Sequence, residues 1–135
     1  MLIRPVFFFV MLPVLAFWAC DTEDDHRNKF TGRYEVEEYS HDSMSYNEDY
    51  EVLIRIDHRA ENQVIIENLW NFDSDIQAVA EEDALTVFPQ DHGYYTFEGQ
   101  GTLSGSLIEM HYTVTSAGED PDFIEELTAE MKRIE

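Results

Sequence analysis

Cys20 is the only cysteine in the chain, and it stands where an apolar segment gives way to an acidic one. Arg4 and the terminal amine precede the apolar run 6–15, and Ala19, a small residue, lies directly before the cysteine. A basic start, an apolar run and a small residue at the junction are the layout of a secretory signal. The stretch 5–19 is shorter than the roughly 20 apolar residues that a membrane-spanning helix needs. We therefore expect cleavage before Cys20 and modification of its thiol.

The junction resembles the lipid-attachment site of bacterial lipoproteins, in which a cysteine becomes the first residue of the mature chain. The resemblance implies a signal peptide over 1–19 and a fatty-acylated Cys20 that anchors the protein to a membrane of the bacterial cell envelope. Phe17 and Trp18 are bulkier than the usual residues of such a site. Two alternatives stay open: soluble secretion, which prefers small residues three and one positions before the cut, and an uncleaved membrane anchor.

The acidic run 21–25 after the cysteine bears on the membrane to which the protein is sent. It resembles the short acidic export tags of some Gram-negative surface lipoproteins, whereas an Asp at the position of Asp21 favours inner-membrane retention in other Gram-negative bacteria. We favour the outer membrane or the cell surface. Residues 20–29 are polar and without a pattern, and we expect them to form a flexible tether.

The remaining residue types that could support catalysis or metal binding form no motif. The histidines lack the spacing of a metal site, and they are His26, His41, His58, His92 and His111. The serines lack the G-x-S-x-G arrangement of a nucleophile elbow, and the acidic loops at 73–75 and 118–122 do not fit the EF-hand pattern. We therefore predict no enzyme activity, no cofactor and no metal, and a hydrolytic enzyme is the least favoured alternative.

Composition limits the classes of partner. The formal net charge of −21 argues against nucleic acid and against electrostatic attraction to anionic lipid headgroups. We interpret the acidic excess mainly as a means of solubility, with a cationic partner or a divalent cation as the alternative. Without residues 1–19 the chain has the size of one domain. A disulfide scaffold is excluded because Cys20 has no partner in the chain.

Residues 30–135 consist of short strand-like segments separated by turns. The clearest is 50–57, where apolar residues at every second position alternate with others. Such segments recur about every 8–12 residues, and turns are expected at 57–62 and 89–93. The pattern predicts an all-β fold, either a barrel or a sandwich.

The C-terminal segment 121–134 allows two structures. As a helix it would begin at Pro121 and present one apolar stripe, formed by Phe123, Ile124, Leu127, Met131 and Ile134. As a strand it places Leu127, Ala129 and Met131 on one face. We favour the strand, because its pairing with the first strand would remove both exposed edges of the barrel.

The start of the first strand, Phe30-Thr31-Gly32-Arg33-Tyr34, resembles the G-x-W opening of lipocalin-like barrels, with Tyr34 in place of the tryptophan. In that family an arginine of the last strand packs over this aromatic ring and closes one end of the barrel. The resemblance implies that Gly32, Tyr34 and Arg133 form this closure, in which cation–π attraction would add to packing. It also implies a single antiparallel up-and-down barrel of about eight strands, a fold suited to enclosing a small apolar ligand.

Large side chains are expected to fill or line the barrel. The candidates for the wall of a ligand cavity are Tyr34, Tyr50, Trp70, Phe72, Tyr95, Phe97, Met110 and Tyr112. An eight-stranded barrel can either be filled by its own side chains or hold one small molecule. We expect a binding module for a small apolar ligand or an envelope protein partner. The alternative is a self-filled barrel with a structural or interaction role, in which Trp70 and Phe72 fold inward as a plug.

Overall fold

The computed structural model describes residues 25–41, 46–118 and 123–135, so the predicted signal peptide and Cys20 lie outside the described residues. The strands form a closed antiparallel barrel in which each pairs with its neighbours along the chain and the last pairs with the first. They are β1 Gly32–Ser40, β2 Tyr46–Ile56, β3 Gln63–Glu67, β4 Asp75–Glu81, β5 Ala84–His92, β6 Tyr95–Ser104, β7 Leu107–Ser116 and β8 Ile124–Arg133. The predicted eight-stranded up-and-down barrel is confirmed.

Alternation along each strand decides which side chains face the interior. Successive side chains of a strand point to opposite faces, so every second residue enters the barrel. The inward positions of β1 are Tyr34, Val36, Glu38 and Ser40, all buried, while the positions between them are exposed or half-buried. The same alternation buries Ile108, Met110, Tyr112 and Val114 of β7. The core therefore lies inside the barrel, where each large apolar side chain contributes about 1.5–3 kcal/mol of hydrophobic stabilisation.

The C-terminal segment is a strand, as favoured above. Leu127, Ala129 and Met131 are buried, and Met131 lies between Val36 of β1 and Ile108 of β7. Helical propensity is overruled here because pairing on both sides satisfies the backbone of β8 and closes the sheet.

The predicted turn at 89–93 is wrong, because β5 continues through it as far as His92. The pairing of β5 with β6 shifts register between Val87 and Gln90, and Pro89 lies in this irregularity. Proline has no N–H for the ladder, and a bulge tolerates it inside a strand. The chain reverses instead at Gly93, whose φ of +63° suits glycine.

Residues 25–29, which precede the predicted start of the barrel domain at residue 30, already pack on the barrel. Residues His26–Phe30 form a 3₁₀ helix, and the Asp25 side chain accepts a hydrogen bond from the backbone N–H of Arg27. Arg27 is buried, and its guanidinium donates to the carbonyl oxygens of Asp57, Ala60 and Gln63. Residues 25–29 of the predicted tether are thus fixed to the loop between β2 and β3.

The barrel has two unlike ends. The closed end carries the 3₁₀ helix, the C-terminus and the loops at 57–62, 82–83 and 105–106. The opposite end, which we call the aromatic end, is the end at which β1 and β7 finish and β2 and β8 begin, and it carries the loops at 68–74 and 93–94. The candidate site lies beneath the aromatic end.

Candidate binding site at the aromatic end

Arg133 closes the end of the barrel at which the chain enters. Its guanidinium carbon lies 5.3 Å from the centroid of the Tyr34 ring, and its Nη2 donates to the Tyr34 hydroxyl at 2.7 Å and to the carbonyl of Lys29. A Cβ on Gly32 would lie 2.5 Å from the carbonyl oxygen of Glu135, so only glycine fits beside this contact. The structure therefore brings Gly32, Tyr34 and Arg133 together in the arrangement that the family resemblance implied.

The 3₁₀ helix completes this closure. Phe30 is fully buried at the helix end, and its carbonyl accepts a hydrogen bond from the Tyr34 hydroxyl at 2.8 Å. Lys29 forms an ion pair of 3.1 Å with Asp83 in the turn between β4 and β5. Side chains and the 3₁₀ helix both cover the closed end. The aromatic end is therefore the better candidate for access to the interior.

A carboxylate lies inside the barrel near the aromatic end. Glu38 is fully buried, and its Oε2 accepts a hydrogen bond from the Tyr112 hydroxyl at 2.6 Å and another from the Tyr50 hydroxyl. The Tyr50 hydroxyl in turn accepts from the backbone N–H of Trp70 at 2.9 Å. Three strands and one loop thus meet at one polar cluster. Glu38 belongs to β1, Tyr50 to β2 and Tyr112 to β7, and Trp70 belongs to the loop after β3.

Both phenols of the cluster hold their protons strongly. Burial raises the pKa of Tyr50, and the negative charge of Glu38 raises it further. Burial also raises the pKa of Tyr112, to which Tyr50 and Glu38 add. At neutral pH both hydroxyls are therefore hydrogen-bond donors to the carboxylate, and neither is a nucleophile.

Ser40 adds an unsatisfied polar group to this part of the interior. The residue is 2 % exposed, and its Oγ is buried without a hydrogen-bond partner. Ser40 follows Glu38 on the inward face of β1 and pairs with Leu127, which pairs in turn with Tyr112. A buried hydroxyl without a partner costs about 1–3 kcal/mol, so a group that bonds to Ser40 would recover this energy.

A cluster of aromatic rings covers the aromatic end. Trp70 is its centre, with ring centroids 5.0 Å from Tyr95, 6.0 Å from Phe97, 6.0 Å from Phe123 and 6.1 Å from Phe72. Trp70, Phe72 and Tyr95 are half-buried, whereas Phe97 is fully buried below them. Trp70 and Phe72 therefore fold over the barrel and pack on it, which is the plug alternative given above.

The loop that carries Trp70 has an unusual backbone. Asn68, Trp70 and Asn71 have φ angles of 75°, 64° and 49°. Asparagine tolerates the left-handed region, but a bulky residue such as tryptophan pays roughly 1–2 kcal/mol to adopt it. The hydrogen bond to Tyr50 and the ring contacts hold Trp70 in this conformation, and strained residues of this kind concentrate at ligand clamps.

Charge is distributed unevenly between the two ends. Every Lys and Arg from residue 25 onwards falls within 27–33, 55–59 or 132–133. These segments lie at or next to the closed end, because they include or adjoin the strand ends that meet there. The described loops of the aromatic end, at 68–74 and 93–94, contain Asp73 and no Lys or Arg. The Lys and Arg residues of the described chain therefore lie toward the closed end.

The outer wall of the barrel carries an open groove of about 670 Å³ along β5 to β8, whose lining includes Phe88 and Glu98. Two exposed histidines meet there, because His41 Nε2 and His111 Nδ1 lie 2.7 Å and 3.1 Å from the Thr128 hydroxyl. No local pattern indicates this pair, since residues 41 and 111 are brought together only because β8 pairs with β1 on one side and with β7 on the other.

The predicted cavity residues separate into two groups. Tyr34 belongs to the closed end, and Met110 is fully buried in the wall between the two ends. The other six belong to the polar cluster or to the rings packed around Trp70, and they are Tyr50, Trp70, Phe72, Tyr95, Phe97 and Tyr112. The structure thus concentrates most of the predicted set at one end.

Sequence reasoning missed three residues of the site: Glu38, Ser40 and Phe123. Glu38 and Ser40 continue the even-numbered inward series of β1, so the alternation begun by Tyr34 contained the signal. Phe123 was assigned only to an apolar stripe of the last segment, and its contact with Trp70 depends on how the loops fold.

Comparison with known proteins adds no assignment: no protein-family model matches the chain, and no curated protein matches its sequence. Across residues 25–41, 46–118 and 123–135, three His, Cys, Asp or Glu side chains nowhere converge in a way that could hold a metal ion. Within the same described residues, no helix has the length and apolarity required to cross a bilayer.

Proposed function

We propose that this protein is a non-catalytic, lipid-anchored binding protein of the bacterial envelope, whose barrel binds a small, largely apolar ligand at the aromatic end. The observation that supports this most is the polar cluster of Glu38, Tyr50 and Tyr112 beneath the rings around Trp70. Ligand sites are mostly apolar with a few converging polar groups, and residues with shifted pKa values collect in them.

The anchor would give the barrel a fixed orientation. With an acyl group on Cys20, the five residues to Asp25 span at most about 18 Å when fully extended. The 3₁₀ helix that follows Asp25 lies at the closed end, so that end would face the membrane. The aromatic end would then point away from the bilayer, where a ligand or a partner can reach it.

A self-filled barrel with an interaction role is the second candidate, and one observation favours it. Large side chains already fill the interior, since Tyr34, Phe97, Met110 and Met131 are all fully buried. In that case the rings around Trp70 would be a permanent plug, and the acidic outer surface would meet a partner. The two candidate functions differ in whether a ligand displaces the Trp70 side chain.

Native mass spectrometry of the protein extracted from its own cells tests the proposal. We expect a mature chain that begins at Cys20, with the mass of attached acyl groups, together with a co-purifying small molecule. Replacement of Cys20 by serine should abolish acylation and release the protein from the membrane fraction, while the barrel still folds. A protein that carries an acyl group but never a small molecule would support the self-filled barrel, and an unprocessed chain in the cytosol would refute the anchor.

A further inference from the structure

We infer that the outer wall of the barrel carries a binding site for a divalent transition-metal ion, in which His41 and His111 supply two imidazole ligands. The site lies in the open groove along β5 to β8, and it is independent of the ligand proposed at the aromatic end. The two histidines lack the spacing of a metal site in the sequence. They meet in the folded protein because β8 lies between β7 and β1.

The two rings converge on one point. His41 Nε2 lies 2.7 Å and His111 Nδ1 lies 3.1 Å from the hydroxyl oxygen of Thr128. Bonds between zinc and imidazole nitrogen are about 2.0–2.1 Å long, so each nitrogen would move by about 1 Å or less to hold an ion at that point. Both histidines are exposed, so this movement requires no repacking of the core.

The rings are already oriented by their neighbours. His111 Nε2 lies 3.0 Å from Glu109 Oε1, and a carboxylate in that place accepts the Nε2 proton. In the neutral ring Nδ1 then carries the lone pair, and it faces Thr128. Histidines that bind metals commonly donate their other N–H to a carboxylate, which fixes the tautomer and the ring orientation. The ring of Tyr39 packs edge-on against His41, with the centroids 5.7 Å apart.

The charge around the pair favours a cation. Glu98 and Glu126 are among the described residues that line the groove, and none of these lining residues is Lys or Arg. On the neighbouring row of the outer face, Glu130 of β8 pairs with Glu37 on one side and with Glu109 on the other. Carboxylates directly opposite one another destabilise a sheet, and a divalent cation nearby would offset their repulsion.

Two imidazole ligands select among cations. Imidazole suits Zn²⁺, Cu²⁺ and Ni²⁺, whereas Mg²⁺ and Ca²⁺ prefer oxygen ligands. Among the described residues, no third His, Cys, Asp or Glu joins the pair in a ligand set. Water or a group of another molecule would take the remaining coordination positions, and the groove of about 670 Å³ leaves room for them. The inferred site is therefore open to exchangeable ligands.

Isothermal titration calorimetry with ZnCl₂ tests the inference. The protein is the full chain with Cys20→Ser, held in detergent, because a free thiol would compete for the metal. Loss of a group that orients a metal ligand weakens metal binding about 10–100-fold, so loss of the ligand itself should weaken it by more than about tenfold. We expect that weakening from His41→Ala and from His111→Ala. His58→Ala, which removes an exposed histidine after β2, is the matched control and should change nothing.

Two further measurements identify the ligands. Glu109→Ala should weaken Zn²⁺ binding about tenfold, because it removes only the group that orients the His111 ring. Cu²⁺ binds imidazole sites more tightly than Zn²⁺, and its electron paramagnetic resonance spectrum counts the coordinated nitrogens. We expect two nitrogens in the parent protein and one in His111→Ala. Circular dichroism and thermal unfolding establish that each variant is folded.

Three results would overturn the inference. The first is an absence of Zn²⁺ binding, or binding that His41→Ala or His111→Ala leaves unchanged. The second is displacement of Zn²⁺ by Mg²⁺ or Ca²⁺ at similar concentrations, which would mean that carboxylates hold the metal. The third is a single coordinated nitrogen in the Cu²⁺ spectrum of the parent protein. None of these results would bear on the proposed function, because the two histidines take no part in the site at the aromatic end.

Discussion

The buried tyrosines should make the protein unfold steeply in alkali. In the unfolded chain a tyrosine ionises near pH 10. In the folded barrel burial raises the pKa of Tyr50 and Tyr112, so above about pH 10 the unfolded state binds fewer protons than the folded state. The free energy of unfolding therefore falls as the pH rises, and the stabilisation is complete only below the unfolded pKa.

The magnitude follows from the number of tyrosines. Each one lowers the free energy of unfolding by about 1.4 kcal/mol per pH unit while it is ionised only in the unfolded chain. Tyr50 and Tyr112 together lower it by about 2.7 kcal/mol per unit, or roughly 5 kcal/mol between pH 10 and pH 12. A loss of that size is comparable with the whole stability of a small domain. We expect global unfolding in this interval.

Urea denaturation at a series of pH values measures this effect. Tyr112→Phe should be about 1.5–3 kcal/mol less stable than the parent at neutral pH, because it removes a hydrogen bond to the buried Glu38 carboxylate. Its free energy of unfolding should then fall by about 2.7 kcal/mol less than that of the parent between pH 10 and pH 12. Tyr94→Phe is the matched control, since Tyr94 is 85 % exposed and its removal should change neither value. Parallel alkaline curves for the parent and Tyr112→Phe would refute the buried cluster.

Two further predictions concern packing. Gly99→Ala should lower the free energy of unfolding by about 1–3 kcal/mol or more, because the new Cβ would lie 2.4 Å from the Cβ of Tyr112 on the paired strand. Gly105→Ala should lower the free energy of unfolding by only about 1–2 kcal/mol, since its new Cβ would meet open space and only the φ of +63° opposes the substitution. Equal shifts in melting temperature for the two glycine variants, once the cost of the φ of Gly105 has been subtracted, would contradict the close approach of Gly99 to Tyr112. Arg133→Met should cost about 1–3 kcal/mol through the lost contacts with Tyr34, measured by urea denaturation. Lys132→Met is the matched control on the outward face beside Arg133, and it should change the free energy of unfolding by no more than about 0.5 kcal/mol. A similar loss of stability in both variants would mean that the closed end has no special role.

The sequence determined the barrel and much of its interior through alternation. Period-two patterns in segments such as 50–57 predicted strands, and the same periodicity assigned Tyr112 and Met110 to the inside. This works because a strand has only two faces, so a local pattern carries the information. The closure by Arg133 over Tyr34 was also available from sequence, but only through a resemblance.

Contacts between segments that are distant in the sequence are seen only in the tertiary structure. It placed Glu38 between Tyr50 and Tyr112, which come from two other strands, and it left the Ser40 hydroxyl unsatisfied. It fixed Arg27 to the carbonyls of a remote loop, where sequence predicted a free tether. Hydrogen bonds between side chains depend on barrel closure and strand register, which no local pattern specifies, so the chemistry of the site emerges only when the sheet is closed.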